Sequence, residues 1–299
     1  MIDLLSDVKI LDFSARLPGP FATFILKDLG AKVIKLENTD IDGDPFNSDL
    51  FKKFLPNFPI WYRNLNQDKE IKALSFQENS KKIQALIDEC DLIIAPENSF
   101  FKLFFEKFNF KNDHALILFT GSQSEWKHLH DLNALAMTKS FLHHLKAHKT
   151  PPFLPLGALA FGQYMATCAL ATLRKAEKKQ EFSTITLYLD EVTRYIFDAL
   201  FCELKQNPNG FLHNGVFPCY NVYETQDGHY VCLAAVEAKY WQKFCNLFNL
   251  EIIKECAFDS SDKTKNLLKK TFLALSAKKI RETLANENIC LSIVTDKKD

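Results

Sequence analysis

The sequence predicts an α/β protein with a large domain on a Rossmann-like parallel sheet and a smaller α+β domain. Strand–helix–strand patterns recur through the first two thirds of the chain. A turn-rich break, Asn-Pro-Asn-Gly, follows at residues 207–210, and an alternating β-hairpin pattern lies beyond it. We therefore place the large domain at residues 1–206, a linker at 207–214 and the small domain at 215–299.

The first βαβ unit covers residues 8–36. A continuous apolar run predicts a strand at 8–13, a helical period predicts a helix at 21–29, and a second strand follows at 32–36. The right-handed crossover makes such strands parallel and buried on both faces. The loop at 14–20, stiffened by Pro18 and Pro20 around Gly19, lies where open α/β sheets bind ligands.

The other elements follow from the same patterns. Apolar or alternating runs predict strands, amphipathic periods predict helices, and Asp227-Gly228 predicts a hairpin turn. In chain order we expect a strand within 65–76, a helix at 78–89, strands at 91–95 and 115–120, helical structure over 124–145, a Pro-rich break at 150–155, a long apolar helix at 158–175, a strand at 184–189, a helix at 190–204, hairpin strands at 220–223 and 230–235, helices at 239–247, 263–275 and 278–287, and a strand at 288–294.

Composition excludes several classes of protein. Lys+Arg and Asp+Glu are balanced at 37 each, so no global field favours nucleic acid or a membrane surface. The eight cysteines show neither metal-ligand spacing nor a disulfide framework. We find no run of eighteen apolar residues and no signal peptide, so we expect a cytoplasmic protein without a membrane span.

Four short motifs carry a family resemblance: Pro18-Gly19-Pro20, Asp28-Leu29-Gly30-Ala31, Val33-Ile34-Lys35-Leu36-Glu37 and Gly43-Asp44-Pro45. In this order the chain resembles the class III CoA-transferases of the CaiB/BaiF type, and within them the α-methylacyl-CoA racemase branch. The resemblance implies that the chain handles coenzyme A or acyl-CoA thioesters.

The resemblance places the CoA contacts at Arg16, Leu17, Pro18, Leu74 and Pro96. The turn at 16–18 could equally be structural. One basic group of the family pattern is missing, since the arginine beside the family's asparagine is Gln67 here. The fingerprint G-x-G-x-x-G is also absent, so we expect no NAD, and we expect no metal.

The family's nucleophilic aspartate falls on Ala158, at the start of the long apolar helix. A methyl group can neither attack a thioester nor transfer a proton, so the standard mechanism is predicted to be lost. The catalytic histidine of the racemase branch falls on His130, whose alternative role is to cap the start of a helix. Two hypotheses follow: an altered CoA-transferase or racemase that works through His130, and a non-catalytic CoA-binding protein or partner subunit of an active paralogue.

Relatives continue beyond the position of Val294, and their two ring-shaped chains interlock. We expect a homodimer or a heteromer with a paralogue. Because the chain stops at Asp299, we expect that interlocking is doubtful.

Overall fold

The chain divides into two units, Met1–Phe201 and Cys202–Asp299. The computed structural model describes residues 3–123, 128–199, 212–285 and 287–294. Most of the expected linker, residues 207–211, therefore lies outside the described residues, and 212–214 form a short 3-10 turn.

The first unit alternates strands and helices along most of its length. In chain order its elements are β1 Lys9–Asp12, α1 Pro18–Asp28, β2 Lys32–Asn38, α2 Asp49–Phe54, α3 Phe58–Asn66, β3 Glu70–Leu74, α4 Ser80–Glu89, β4 Leu92–Pro96, α5 Ser99–Phe105, β5 Ala115–Thr120, α6 Asp131–Ala136, α7 Lys139–His148, α8 Leu156–Lys179, β6 Ser183–Tyr188 and α9 Leu189–Asp198.

The six strands form one parallel sheet in the order β3-β2-β1-β4-β5-β6. This is the doubly wound order, and the predicted α/β class is confirmed. Successive residues of β1 face opposite sides of the sheet. Ile10 belongs to a core with α1 and α8, whereas Leu11 belongs to a core with α4 and α5. The sheet is thus covered by helices on both faces.

Helix α1 begins at Pro18, earlier than the start predicted at residue 21. The Pro-Gly-Pro sequence forms the first helical turn, where a proline fits because the amide of that position has no partner within the helix. The strand expected within 65–76 is β3, Glu70–Leu74, whereas Leu65 and Asn66 close helix α3. The predicted helical stretch 124–145 contains α6 and part of α7, and its first four residues lie outside the described ones.

Helix α8 is long and apolar enough to cross a membrane, with a mean hydropathy of 1.4 over its most apolar window. Half of that window is nevertheless buried inside the unit. Phe161, Met165 and Ala169 of α8 pack in the same core as α1 and the sheet. This is the position of a core helix, and such helices pass the same test of length and composition.

The second unit is an α+β structure. Its elements are β7 Tyr220–Glu224, β8 Tyr230–Ala234, α10 Ala238–Leu247, α11 Asp262–Leu273, α12 Ala277–Leu284 and β9 Leu291–Val294. The strands form an antiparallel sheet in the order β7-β8-β9, with the expected turn at Asp227-Gly228. Trp241, Phe244 and Phe272 are buried in its core.

Candidate functional site

Asp12 ends β1 and is fully buried. Its Oδ1 accepts hydrogen bonds from the backbone N–H of Ser14, at 2.8 Å, and from the Ser14 hydroxyl, while its Oδ2 accepts from Thr23 Oγ1 at 2.5 Å. Burial alone would raise the pKa of this carboxyl group. Lys69, Lys35 and these hydrogen bonds outweigh burial, so the pKa of Asp12 is lowered.

Lys69 is the nearest cation to this carboxylate, with its Nζ 3.6 Å from Asp12 Oδ2 and both side chains inaccessible to solvent. The ammonium donates to Pro20 O at 2.9 Å, Thr23 Oγ1 at 2.8 Å and Asn66 Oδ1 at 2.9 Å. Burial lowers the pKa of Lys69 to about 8, although the negative charge of Asp12 acts to raise it. Since its three donors are all used, this lysine supports the fold and has none left for a phosphate.

A second buried pair holds the loop after β1. Lys35 Nζ donates to Ser14 O at 2.6 Å and lies 3.3 Å from Asp44 Oδ2. Asp44 also accepts from the backbone N–H groups of Arg16, at 3.1 Å, and Phe46, at 3.0 Å. These bonds hold Arg16 at φ +65°, in the left-handed region that non-glycine residues seldom adopt. The Arg16 side chain is exposed, and its guanidinium has no hydrogen bond or ion pair to any described residue.

A pocket of about 430 Å³ opens at the carboxyl ends of β1, β2 and β4. Strands β1 and β4 are neighbours in the sheet although the chain first runs outward to β3, so the pocket lies at the switch point where such sheets bind ligands. Its lining includes Ser14, Arg16, Asn38, Asp44, Pro96 and Asn98. Arg16 and Lys35 are the cations of the lining, and Lys35 is already paired.

The residues predicted to contact CoA fall in three places. Arg16 and Pro96 line the pocket. Leu17 and Pro18 begin helix α1, and Leu17 packs beside Ala158. Leu74 ends β3, where its carbonyl accepts from the Thr39 N–H at 3.0 Å. Leu74 is absent from the pocket lining, although Asn38, its partner in β2, is present.

Ala158 lies in the first turn of α8 and is 6% exposed. It shares an apolar cluster with Leu17, Phe46 and Tyr62. The aromatic side chains of α3, Phe58 among them, pack against the same cluster. The position where the resemblance expects a nucleophilic carboxylate is therefore an alanine covered by apolar groups.

His130 is the N-cap of α6, and its side chain is exposed. The backbone N–H of His130 donates to Asn133 Oδ1 at 3.1 Å, so its main chain does take part in capping a helix. The next residue, Asp131, reaches the start of α8. Its Oδ1 accepts from the Ala158 N–H at 2.7 Å.

The sequence did not single out Asp12, Asp44, Lys69 or Asp131 as site residues. A signal for Asp12 existed, since a polar residue at the carboxyl end of an apolar parallel strand points to the ligand-binding edge of a sheet. Asp131 directly follows His130 in the sequence, but its proximity to Ala158 depends on the packing of two helices. The described residues contain no group of three or more His, Cys, Asp or Glu side chains placed to bind a metal.

Comparisons with known proteins identify a family by sequence and a shared fold by structure. The sequence model of CoA-transferase family III matches residues 5–299. Succinyl-CoA:glutarate CoA-transferase of Mus musculus is 25% identical over 302 residues, which cover 94% of this chain and 68% of that protein. α-Methylacyl-CoA racemase of Homo sapiens is 23% identical over 256 residues, 80% of this chain and 63% of that protein.

Solved structures support the fold. A CAIB/BAIF family protein from Brucella suis has a TM-score of 0.73 at 15% identity, covering 100% of this chain and 85% of that chain. The hypothetical protein Rv3272 from Mycobacterium tuberculosis has a TM-score of 0.68 at 19% identity, covering 100% and 86%.

Proposed function

Because the chain belongs to CoA-transferase family III, we propose that it binds coenzyme A or an acyl-CoA thioester in the pocket at the carboxyl edge of the large unit's sheet. The family and the named relatives handle CoA thioesters. The observation that carries the proposal is Arg16, which lines the pocket with an exposed side chain and whose backbone N–H donates to Asp44. A pocket of about 430 Å³ is within the usual range for ligand sites of about 300–1,000 Å³.

We further propose that acyl transfer through an aspartyl anhydride is lost. That pathway needs an ionised carboxylate at the start of α8, near backbone amides that stabilise the oxyanion. Ala158 supplies no such group, and Leu17, Phe46 and Tyr62 cover it. CoA recognition is separate, because the pocket lining is formed by other elements.

Calorimetry with CoA and acetyl-CoA tests the binding proposal. We expect Arg16→Gln to weaken CoA binding by about tenfold to a hundredfold, because a hydrogen bond to a charged group contributes about 1.5–3 kcal/mol. Binding of pantetheine, which lacks phosphates, should be unchanged. Arg63→Gln is the matched control, since Arg63 is exposed on α3 and does not line the pocket.

Dissociation constants weaker than about 1 mM for both CoA and acetyl-CoA, equivalent to about −4 kcal/mol, would refute the binding proposal. Equal losses in Arg16→Gln and Arg63→Gln would instead remove Arg16 from the site. A second candidate function, a CoA-holding subunit that pairs with an active paralogue, is favoured by the alanine at position 158.

A further inference from the structure

Glu37 lies near the carboxyl end of strand β2 and lines the pocket. The residue is half-buried, and its Oε1 accepts a hydrogen bond from the Tyr62 hydroxyl at 2.5 Å. Burial and the neighbouring Glu37 carboxylate raise the pKa of Tyr62, so the phenol keeps its proton and is the donor in this bond. One oxygen of Glu37 is therefore held in place as an acceptor.

The other oxygen of this carboxylate is unused. Glu37 Oε2 has no hydrogen bond or ion pair to any residue that the structure describes. A Cβ atom built on Gly43 would lie 3.6 Å from Oε2, and Gly43 also lines the pocket. An ionised carboxylate offers about four lone-pair positions, of which Tyr62 uses one. The pocket therefore presents an acceptor to a hydroxyl or amino group of a ligand.

The charges of the pocket lining leave room for one anionic group. Lys35 and Asp44 neutralise each other, since their charged atoms lie 3.3 Å apart and both side chains are 1% accessible. The two charged residues that remain in the lining are Arg16 and Glu37, which have opposite signs. Two exposed aspartates in the adjoining segment 40–42 add negative charge at the rim. A phosphate group thus finds a cation at Arg16 and an anion at Glu37.

The position of Glu37 in the sheet indicates which part of a ligand it meets. The strand order β3-β2-β1-β4-β5-β6 is that of dinucleotide-binding sheets, in which a carboxylate about 20 residues beyond the first βα turn binds a ribose hydroxyl. Glu37 stands about 20 residues beyond the turn at 14–20. Phe13, Phe76 and the exposed Phe100 line the same pocket and offer aromatic surface to a flat base. The pocket therefore suits the adenosine end of a ligand.

We propose that Glu37 sets the specificity of this pocket, because its carboxylate accepts from a free ribose hydroxyl of the ligand and repels the 3′-phosphate of CoA. The inference rests on the proposed CoA binding and names the preferred class of ligand, CoA derivatives without the 3′-phosphate. A phosphate monoester carries a charge of about −1.5 to −2 at pH 7. Like charges placed side by side in a binding site weaken binding. The diphosphate of the same ligand is left for Arg16 to neutralise.

Calorimetry with CoA and 3′-dephospho-CoA tests this specificity. The full-length protein is titrated at about 0.15 M salt, where charges more than about 8 Å apart are largely screened. We expect the wild type to bind 3′-dephospho-CoA about tenfold more tightly than CoA, and Glu37→Gln to abolish this difference. The glutamine Oε1 can still accept from Tyr62. A general loss of stability would weaken both ligands alike and leave the ratio of their dissociation constants unchanged.

Two variants control for other effects of the substitution. Glu97 is also half-buried and directly follows strand β4 at the same edge of the sheet, but it does not line the pocket. Glu97→Gln removes an equal charge and should keep the preference for 3′-dephospho-CoA. Tyr62→Phe removes the hydrogen bond to Glu37 but keeps the carboxylate, so it should keep the preference too. A ratio abolished in either control would take the specificity away from the Glu37 carboxylate and overturn the inference.

Results with the wild type separate this inference from the proposed function. CoA binding as tight as that of 3′-dephospho-CoA, or tighter, would refute the role of Glu37 and leave the proposed function intact. A tenfold preference that persists in Glu37→Gln would refute that role as well. Absence of binding of both ligands would refute the proposed function itself, so the two failures are distinguishable.

Discussion

Replacing Lys69 with methionine is expected to lower the free energy of unfolding by about 3–5 kcal/mol, the usual effect of removing one partner of a buried ion pair. Lys69 Nζ lies 3.6 Å from Asp12 Oδ2, with both side chains fully buried. The change also removes the donor to Pro20 O and Asn66 Oδ1. Urea unfolding of the full chain, followed by circular dichroism, measures the effect.

Lys72→Met is the control for this experiment. Lys72 lies on β3, three positions after Lys69, and pairs with Glu70 at 2.9 Å, but that pair is partly exposed, with side chains 36% and 60% accessible. Exposed pairs contribute about 0–1 kcal/mol, so the control should lose little stability. Equal losses of stability in the two variants would show that the buried pair of Lys69 and Asp12 contributes no more than an exposed pair.

The same variant should respond to pH with a defined sign. In the wild type the pKa of Asp12 is lowered, so its contribution to stability is present above the pKa of the unfolded chain and is lost only as pH falls through the lower native value. Without Lys69, burial raises that native pKa, and the folded variant takes up a proton at higher pH. The stability difference between wild type and Lys69→Met should therefore shrink as pH falls from about 7 to about 4.

Restoring an acid at position 158 is the second large effect that we expect. Ala158→Asp should destabilise the protein by about 3 kcal/mol at neutral pH, because burying an unpaired polar group costs about 1–3 kcal/mol and a charge costs more. The new carboxyl group would lie between the cluster of Leu17, Phe46 and Tyr62 and the Asp131 carboxylate. Its folded pKa should rise above the unfolded value, so the loss should be smaller at low pH.

Gln163→Asp is the control, since Gln163 is exposed on the same helix. It should change stability by no more than about 0.5 kcal/mol, as is usual for surface substitutions. A stable Ala158→Asp protein that forms an acyl adduct with acetyl-CoA would contradict our description of a closed apolar cluster. Thermal unfolding at two pH values measures the stability, and mass spectrometry after incubation with acetyl-CoA detects any acyl adduct.

The sequence predicted the strands of the parallel sheet and the hairpin of the small unit because these elements have local signals. A strand such as β4, buried on both faces, is a short continuous apolar run, and Asp227-Gly228 favours a tight hairpin turn. Helix starts were less predictable. Pro18 was assigned to the loop at 14–20, yet it lies in the first turn of helix α1.

The family resemblance and the alanine at position 158 were evident from the sequence alone, because motif order and residue identity need no coordinates. The positions of the charged side chains Lys69 and Asp131 were decided only by the tertiary structure. Lys69 directly precedes β3, and only the tertiary structure showed that its ammonium lies against Asp12 and donates to Pro20 and Thr23. Asp131 meets the Ala158 amide through the packing of α6 on α8, 27 positions apart. A backbone amide is common to nearly every residue, so no sequence pattern can name the carboxylate that will reach it.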